Sequence, residues 1–385
     1  MREFARMGHR AVILASDSNH LIATPSFDGD HQVDIMDGVE FCWIRTLKYR
    51  VAKSSRRVLS WLDFEWRLWR LPKKQFGRPD AVIVSSLSLL TIFNGLLLRW
   101  KYGCRLVFEI RDIWPLTMTE EGGFGKYNPF VIGLGLIERL GYSRADAIVG
   151  TMPNLEEHVT EVLGQRRKVH CIPMGVDDVS LAAGEPLEPE YEAKFISQGK
   201  FVVCHAGSIG ITNALDTLFA CARALQERSN IHFLIVGKGD LKAKYQELCA
   251  DLPNITFAPA VKKTMVQSVL AHVDLLYFST HTSSVWKYGQ SLNKVIDYML
   301  SGKPILASYS GYPSMINEAG CGSFVPTGDA DALRNEILRY AEMPSAAREI
   351  IGKAGRTWLL CNRKYDRLAE DYLQLMLPNS NKSLQ

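Results

Sequence analysis

Residues 274–308 read DLLYFSTHTSSVWKYGQSLNKVIDYMLSGKPILAS, and this stretch decides the fold of the chain. The apolar run at 274–278 predicts a strand, and a polar loop and a short helix that ends at Gly302 follow it. A second apolar strand begins at Pro304. A strand, a helix and a strand in this order form a βαβ unit, so the chain is predicted to be an α/β protein with parallel strands.

The start of this helix carries small and polar side chains, among them Ser291, Asn293 and Lys294. The first turn of a helix presents unpaired N–H groups and a partial positive charge, which favour an anion such as a phosphate. Lys294 adds a full positive charge, and Asp297 could accept hydrogen bonds from sugar or ribose hydroxyls. The alternative is that these polar residues are ordinary helix caps.

Length and composition limit the possible classes of protein. The chain has 385 residues, which fits two domains, and its 47% hydrophobic and 22% charged residues are typical of a globular protein. A net charge of +4 does not by itself indicate nucleic acid binding. None of the eight cysteines forms a C-x-x-C pair, which favours buried thiols in a reducing compartment. Residues 1–10 lack an apolar core segment, so we expect no signal peptide, and the longest apolar stretch, 87–100, is too short and polar to span a membrane.

Apolar runs with the length of strands recur along the whole chain and alternate with helical patterns. They lie at 11–15, 81–85, 105–110, 146–149 and 169–172, and then at 201–206, 232–236, 255–258, 274–278 and 304–307. Such alternation predicts two doubly wound, Rossmann-like domains, whose facing cleft is the expected site. A stretch around 175–199 with Gly184, Pro186 and Pro189 predicts the break between them. The predicted boundaries are 1–175 for the N-terminal domain, 176–198 for a linker, 199–355 for the C-terminal domain and 356–385 for a helix that crosses back.

The N-terminal domain departs from the expected pattern. Its first residues predict a fragment of helix and a turn before the strand at 11–15, whereas a Rossmann-like domain begins with a strand and a glycine-rich loop. We therefore expect the domain to lack its first strand. A different topology that needs no such strand is the alternative.

Three charged residues stand where the strand at 105–110 ends: Glu109, Arg111 and Asp112. Burying charges is costly unless they are paired or face a polar ligand, and sites of α/β proteins form at strand ends. These residues are therefore candidate catalytic groups. The alternative is an ion pair of Arg111 with Asp112 or Glu109 that orders the loop.

Two glycine loops follow strands of the second domain. Gly207 and Ser208 end the strand at 201–206, and Gly237 and Lys238 end the strand at 232–236. Glycine lets the backbone approach a phosphate closely, so both loops are candidates for phosphate binding, although each is a weak signal alone. The alternative for Lys238 is a solvated side chain, which is usual for a lysine in a turn.

A basic stretch precedes a tryptophan-rich helix predicted over 59–71. It contains Arg50, Lys53, Arg56 and Arg57, and Trp61 lies near the start of the helix. This pattern suits the surface of an anionic membrane, and a core helix with its tryptophans packed inside is the alternative. The same run would fit RNA, but no RNA-binding motif accompanies it. The Asp28-Gly29-Asp30 sequence resembles a metal-binding pair but lies in a turn-rich stretch, so we expect a turn.

The order of several motifs resembles the family 4 retaining glycosyltransferases of GT-B fold. The motifs read ERL…RADAIV from Glu138, IPMGVD from Ile172, AGS from Ala206, VGKG from Val236 and DYMLSGKP from Asp297. Within the family, YGQSLNK at 288–294 and EIRDIWP at 109–115 resemble the branch that transfers N-acetylated amino sugars, such as fucosamine, in bacterial O-antigen and capsule assembly.

This resemblance implies retaining transfer from a nucleotide sugar, usually UDP-linked, with no metal and no other cofactor. The donor would lie on the second domain, and the acceptor, often lipid-linked at the cytoplasmic membrane face, on the first. Many relatives have Arg and Lys where this chain has Ser208 and Asn213, a Glu where it has Gly289, and a His where it has Arg111. The donor diphosphate would therefore depend on Lys294, the loop N–H groups and Lys238.

Two other functions are compatible with the same sequence. A nucleotide-sugar epimerase can have the same two-domain plan. A non-catalytic member of a polysaccharide-assembly complex would explain the neutral residues Ser208, Asn213 and Gly289.

Overall fold

The computed structural model describes residues 1–18, 24–49, 55–86, 88–176, 181, 184–196 and 198–378. The chain divides into two compact units, of which the first comprises Met1–Ile172 and Tyr365–Gln385 and the second Pro173–Lys364. The segment 176–198, predicted as a linker, lies in the second unit, where Leu187 and Ile196 are buried in the core. Both side chains are apolar, and burying them holds this segment against the unit.

The first unit contains seven strands and seven helices among its described residues. The strands are β1 (Ala11–Ser16), β2 (His31–Met36), β3 (Val39–Ile44), β4 (Ala81–Ser85), β5 (Arg105–Ile110), β6 (Ala147–Gly150) and β7 (Val169–Cys171). The helices are α1 (Arg2–Arg6), α2 (Ser55–Arg70), α3 (Thr91–Tyr102), α4 (Leu116–Glu120), α5 (Pro129–Arg144), α6 (Leu155–Leu163) and, from the C-terminal segment, α15 (Tyr365–Met376). A 3₁₀ turn lies at Lys73–Phe76.

The strands of the first unit form two groups, in the orders β1-β3-β2 and β4-β5-β6-β7. All neighbours are parallel except β2 and β3, which form an antiparallel hairpin. The hairpin was not predicted, although Asp37-Gly38 at its turn is a recognised signal, and both residues have positive φ angles of 51° and 78°. Helix α15 packs its Leu368 and Met376 into the core formed with Val107 of β5.

The second unit contains six strands and eight helices among its described residues. The strands are β8 (Phe201–Ala206), β9 (Ile231–Val236), β10 (Ile255–Ala258), β11 (Leu275–Ser279), β12 (Ile305–Ser308) and β13 (Gly322–Val325). The helices are α7 (Pro189–Phe195), α8 (Asp216–Ala224), α9 (Lys242–Leu248), α10 (Val266–Ala271), α11 (Asn293–Ser301), α12 (Met315–Ala319), α13 (Ala330–Glu342) and α14 (Ser345–Asn362). Three 3₁₀ turns lie at Ile211–Asn213, Lys263–Met265 and Ser284–Tyr288.

The six strands form one parallel sheet in the order β10-β9-β8-β11-β12-β13. Most strand residues are buried because helices cover both faces of the sheet, which explains the continuous apolar runs in the sequence. The strand order reverses between β8 and β11, since the chain proceeds outward to β10 on one side and to β13 on the other. Ligands of such sheets bind beyond the carboxyl ends of the strands at this reversal.

Candidate functional site

The point of reversal in the second unit carries the loop after β8 and the start of helix α11. Tyr298 of α11 is fully buried, and its hydroxyl accepts a hydrogen bond from Ala206 N at 2.8 Å. The same hydroxyl lies 3.1 Å from the carbonyl oxygen of Ala206 and 3.2 Å from that of Tyr277, so it can donate to either. One side chain therefore links the middle of α11 to the last residue of β8 and to Tyr277 of β11, and this holds the helix at the reversal point.

Lys294 reaches from the first turn of α11 to the loop that follows β8. Its Nζ donates a hydrogen bond to Asn213 Oδ1. Its Nζ and Cε lie 3.6 and 3.5 Å from the position that a Cβ at Gly207 would occupy. Burial lowers the pKa of Lys294 to about 8, so most of its amino groups remain charged at pH 7. The structure thus brings together three residues that the sequence singled out, Gly207, Asn213 and Lys294.

His205 lies beneath the same loop and is fully buried. Its ring nitrogens face two carbonyl oxygens, Nδ1 that of Tyr277 at 3.3 Å and Nε2 that of Ser208 at 3.2 Å. Burial, with a smaller contribution from the charge of Lys294, lowers the pKa of His205 to about 3. The ring is therefore neutral at pH 7 and donates to one carbonyl at a time. Lys294 is consequently the cation at this position.

The two glycine loops pack against each other. A Cβ at Gly237 would lie 1.8 Å from the carbonyl oxygen of Gly207, and a Cβ at Gly239 would lie 2.1 Å from that of Ile209. Ile209 N also donates to the carbonyl oxygen of Lys238 at 3.0 Å. Gly237 and Gly239 are thus needed for the close approach of the two loops, a role different from the phosphate contact predicted from the sequence. The side chain of Lys238 is exposed.

The start of α11 has no side-chain cap among the described residues, although Asn293 and Ser291 were possible caps. Gln290, immediately before it, is 5% exposed, and its Oε1 accepts from Leu292 N at 3.0 Å. Gln290 Nε2 has no hydrogen-bond partner within the described part of the chain, and neither does Oγ1 of Thr280, which is 2% exposed and follows β11. Buried polar atoms normally have partners, so these two atoms are additional candidates for ligand contact.

These two residues were not selected from the sequence. Their place in the polar loop after an apolar strand was the available signal, but that loop spans residues 280–292 and offers many polar side chains.

Asp297 lies one turn further along α11 and is paired. Lys263 Nζ donates to Asp297 Oδ1, and the Asp297 side chain is 16% exposed, whereas that of Lys263 is 66% exposed. A sugar hydroxyl would therefore share or replace the contact with Lys263. The role predicted for Asp297 in holding donor hydroxyls stays a prediction.

The loop after β5, in the first unit, presents Arg111 and Asp112 as exposed side chains. The buried Ser86, just after β4, holds the backbone of this loop, because its Oγ accepts from Arg111 N at 3.0 Å and lies 3.4 Å from the carbonyl oxygen of Asp112. Glu109 has a different environment. Its Oε1 accepts a hydrogen bond from Tyr372 Oη of helix α15 at 2.7 Å. Arg111 and Asp112 are thus exposed, whereas Glu109 is hydrogen-bonded to Tyr372, and the catalytic role predicted for the three residues stays a prediction.

Of the residues predicted to contact a membrane, Arg56, Arg57 and Trp61 lie on helix α2, and Arg50 and Lys53 lie outside the described residues. Arg56 is exposed. The guanidinium of Arg57 stacks over the ring of Trp61, 5.2 Å from its centroid, and Trp61 packs edge-to-face against Trp114 at 5.7 Å. A separate row of apolar side chains on this helix is half-exposed: Leu59, Leu62, Trp66 and Trp69.

No helix within the described ranges has the length and apolarity required to cross a membrane. Asp28, Gly29 and Asp30 lie in a bend, as expected. In the part of the chain that the structure covers, no group of three or more His, Cys, Asp or Glu side chains could hold a metal ion.

Two family models match the chain. Residues 1–175 match the glycosyl transferase 4-like domain, and residues 200–343 match the glycosyl transferases group 1 domain. A search of curated proteins found no match.

Several solved structures are similar over nearly the whole chain. Sucrose-phosphate synthase from Thermosynechococcus elongatus is 17% identical with a TM-score of 0.70, covering 97% of this chain and 90% of that one. An E. coli protein described as trehalose-6-phosphate, bound with UDP-2-fluoro glucose, is 11% identical with a TM-score of 0.73, covering 97% and 94%. WaaG, a glycosyltransferase involved in lipopolysaccharide biosynthesis, is 16% identical with a TM-score of 0.64, covering 98% and 94%.

At these identities the likeness shows the fold. The predicted fold class, two α/β domains built on parallel sheets in the GT-B manner, is confirmed.

Proposed function

We propose that this chain, a family 4-type glycosyltransferase, transfers an N-acetylated amino sugar from a UDP-linked donor with retention of anomeric configuration. The proposed acceptor is a lipid-linked or other glycan of bacterial surface polysaccharide biosynthesis. The E. coli protein of similar fold binds a UDP-sugar analogue, and WaaG acts in lipopolysaccharide biosynthesis, which supports this choice of donor and pathway class.

One observation carries the proposal: Lys294 lies at the uncapped start of α11, between Gly207 and Asn213, where the strand order reverses. Its charge and the N–H groups of the first helical turn add at the same place. A diphosphate there would gain a charge-assisted contact with the lysine and hydrogen bonds from the helix start. The unpartnered Gln290 Nε2 is a further donor for it.

In the proposed mechanism, Lys294 stabilises the UDP leaving group as its negative charge grows in the transition state. The departing phosphate takes the proton of the acceptor hydroxyl on the same face of the sugar, so retention needs no dedicated protein base. No metal ion is required, because the lysine and the helix start supply the positive charge. Arg111 and Asp112, which are exposed in the first unit, are the proposed contacts of the reacting sugars.

Glu109 is not included among these contacts. Its carboxylate accepts from Tyr372 Oη, and we assign it to fastening helix α15 to β5.

The proposed location of the protein is the cytoplasmic face of the plasma membrane, bound peripherally through α2. Leu59, Leu62, Trp66 and Trp69 are between 50% and 54% exposed and follow one another at helical spacings of three and four residues. Exposed Arg56 and Arg70 lie on the same helix. An apolar stripe beside arginines suits an anionic membrane surface. Replacing Trp66 and Trp69 by Gln should reduce co-sedimentation with anionic vesicles, and Ile350→Gln, an exposed site of the second unit, is the matched control.

The experiment for the activity is a screen of UDP-sugars against a lipid-diphosphate-linked acceptor, with the product anomer determined by NMR. Lys294→Ala should lower kcat/KM at least about tenfold, because a charge-assisted contact contributes about 1.5–3 kcal/mol. Lys353→Ala is the control, since Lys353 is a surface lysine of the same unit with a side chain that is 71% exposed.

Three results would count against the proposal. Unchanged kcat/KM in Lys294→Ala would remove the lysine from the site. Inversion of the anomer would exclude the front-face mechanism. Epimerised UDP-sugar in the absence of acceptor would favour the epimerase alternative.

A further inference from the structure

The first unit contains an apolar cavity of about 240 Å³ between helices α2 and α5 and the loop that precedes α3. For comparison, a cavity of roughly 150 Å³ lined by Leu, Ile and Phe binds benzene. Its mouth includes Leu62 and Pro129, which are both exposed to solvent. The lining includes Trp61, Leu62, Ser88, Trp114, Pro129 and Gly133, and its other side chains are all apolar.

The lining has almost no capacity for hydrogen bonding. Ser88 is its one hydroxyl-bearing side chain, and that Oγ is 3.5 Å from Glu65 Oε1, to which it donates. The remaining polar side-chain atoms are the indole nitrogens of Trp61 and Trp114. A polar ligand would lose its hydrogen bonds with water and form few new ones here, whereas an apolar chain has no hydrogen bonds to lose.

Charged groups stand beside the cavity. The guanidinium of Arg57 lies 5.2 Å from the ring centroid of Trp61, whose ring is part of the wall. Trp114, which packs against Trp61, follows the exposed Arg111 and Asp112 by three and two residues. A molecule with an apolar chain in the cavity would therefore contact a wall that carries the guanidinium of Arg57 beside it. This arrangement complements an anionic head group.

We propose that the cavity binds a segment of the hydrocarbon chain of a lipid-phosphate-linked acceptor. The proposal rests on the proposed function, because it assumes that the acceptor is carried on a lipid. It differs from adsorption of α2 to a membrane surface, since one chain would enter the protein and bring its phosphate end toward the loop with Arg111 and Asp112.

Gly133 of α5 offers a selective way to fill the cavity. It lines the wall, and apart from its chain neighbours and the nearby backbone of its own helix no atom of the described residues lies within 4 Å of the position that a Cβ there would occupy. Leucine at this position would extend into the empty volume, and replacing a glycine inside a helix should favour folding. Gly135→Ala is the control: it also replaces a glycine of α5, its Cβ would lie 3.9 Å from Pro115, and the residue does not line the cavity.

The experiment is calorimetry of the full chain with dodecyl phosphate below its micelle concentration, and with ethyl phosphate as the head group alone. We expect saturable binding of one dodecyl phosphate, which weakens about tenfold when the chain is shortened by two methylenes. Gly133→Leu should weaken it at least about tenfold and Gly135→Ala should not change it. Leu62→Asp, at the half-exposed mouth, is a second variant that should weaken it in the same way.

Equal affinity for ethyl phosphate, non-saturable partitioning, or full binding by both Gly133→Leu and Leu62→Asp would overturn the proposal. UDP binding is measured on the same samples. Chain binding without UDP binding would refute the donor site and leave this cavity assignment standing, and the reverse result would refute only the cavity assignment.

Discussion

Donor binding should weaken as the pH rises through about 8, and Lys294 should be the cause. Its buried amino group has a pKa lowered to about 8, whereas a bound diphosphate would hold it protonated. A pKa of about 8 leaves almost all of these groups charged at pH 6.5 and about a quarter of them at pH 8.5, so the apparent affinity should fall about fourfold. His205, with a pKa of about 3, stays neutral throughout this range.

Calorimetry with UDP-N-acetylglucosamine measures this dependence, because the diphosphate of a UDP-sugar has no terminal ionisation between pH 6.5 and 8.5. Repeating each titration in buffers of different ionisation enthalpy should show protons taken up on binding, increasingly so toward pH 8.5. Lys294→Ala should bind more weakly at pH 6.5 and show neither the slope nor the proton uptake. A pH-independent affinity in the wild type, or the same slope in the variant, would refute this reasoning.

Three further predictions concern stability and are measured by thermal or urea unfolding. Lys294→Met should stabilise the fold at pH 7 by on the order of 1–3 kcal/mol, since it removes a desolvated charge. This gain should shrink as the pH rises from the folded pKa of about 8 to the ordinary lysine pKa of 10.5, because the folded wild type then loses the buried charge. Gly237→Ala should destabilise it by on the order of 2–4 kcal/mol and weaken UDP binding, because its Cβ would lie 1.8 Å from the Gly207 carbonyl oxygen. Tyr372→Phe should cost about 1–3 kcal/mol by leaving Glu109 without its hydrogen bond; an unchanged midpoint would show that water replaces the hydroxyl.

The sequence predicted the parallel sheet of the second unit well, because strands buried on both faces are continuous apolar runs. The predicted run at 201–206 coincides with β8, and the run at 255–258 with β10. It missed β2, which is an edge strand with exposed Val33 and Ile35 and therefore lacks an apolar signal of that kind. The sequence did not predict strand β13, because this strand is short and begins with glycine and serine.

The candidate site was predictable in outline but not in its contacts. Gly207 and Lys294 are 87 residues apart in number, and their proximity follows from the adjacency of β8 and β11, which local patterns do not encode. The spacing of Glu109 and Arg111 could not reveal that Tyr372, near the other end of the chain, donates a hydrogen bond to the Glu109 carboxylate. Long-range pairing of this kind is decided by topology.

In the proposed donor site, the neutral residue at position 213 would allow a single lysine to bind the diphosphate, where the resemblance to family 4 implied further positive charge. A second lysine there would place two cations within hydrogen-bond distance in a buried place, and each would lower the pKa of the other. Asn213 instead accepts the hydrogen bond of Lys294 through a neutral oxygen, which orients the amino group without neutralising it. The charge would therefore remain available to a diphosphate. Burying it is unfavourable, and this lowers the pKa of Lys294. Concentrating the positive charge in one group also makes the pH dependence of binding a one-proton event.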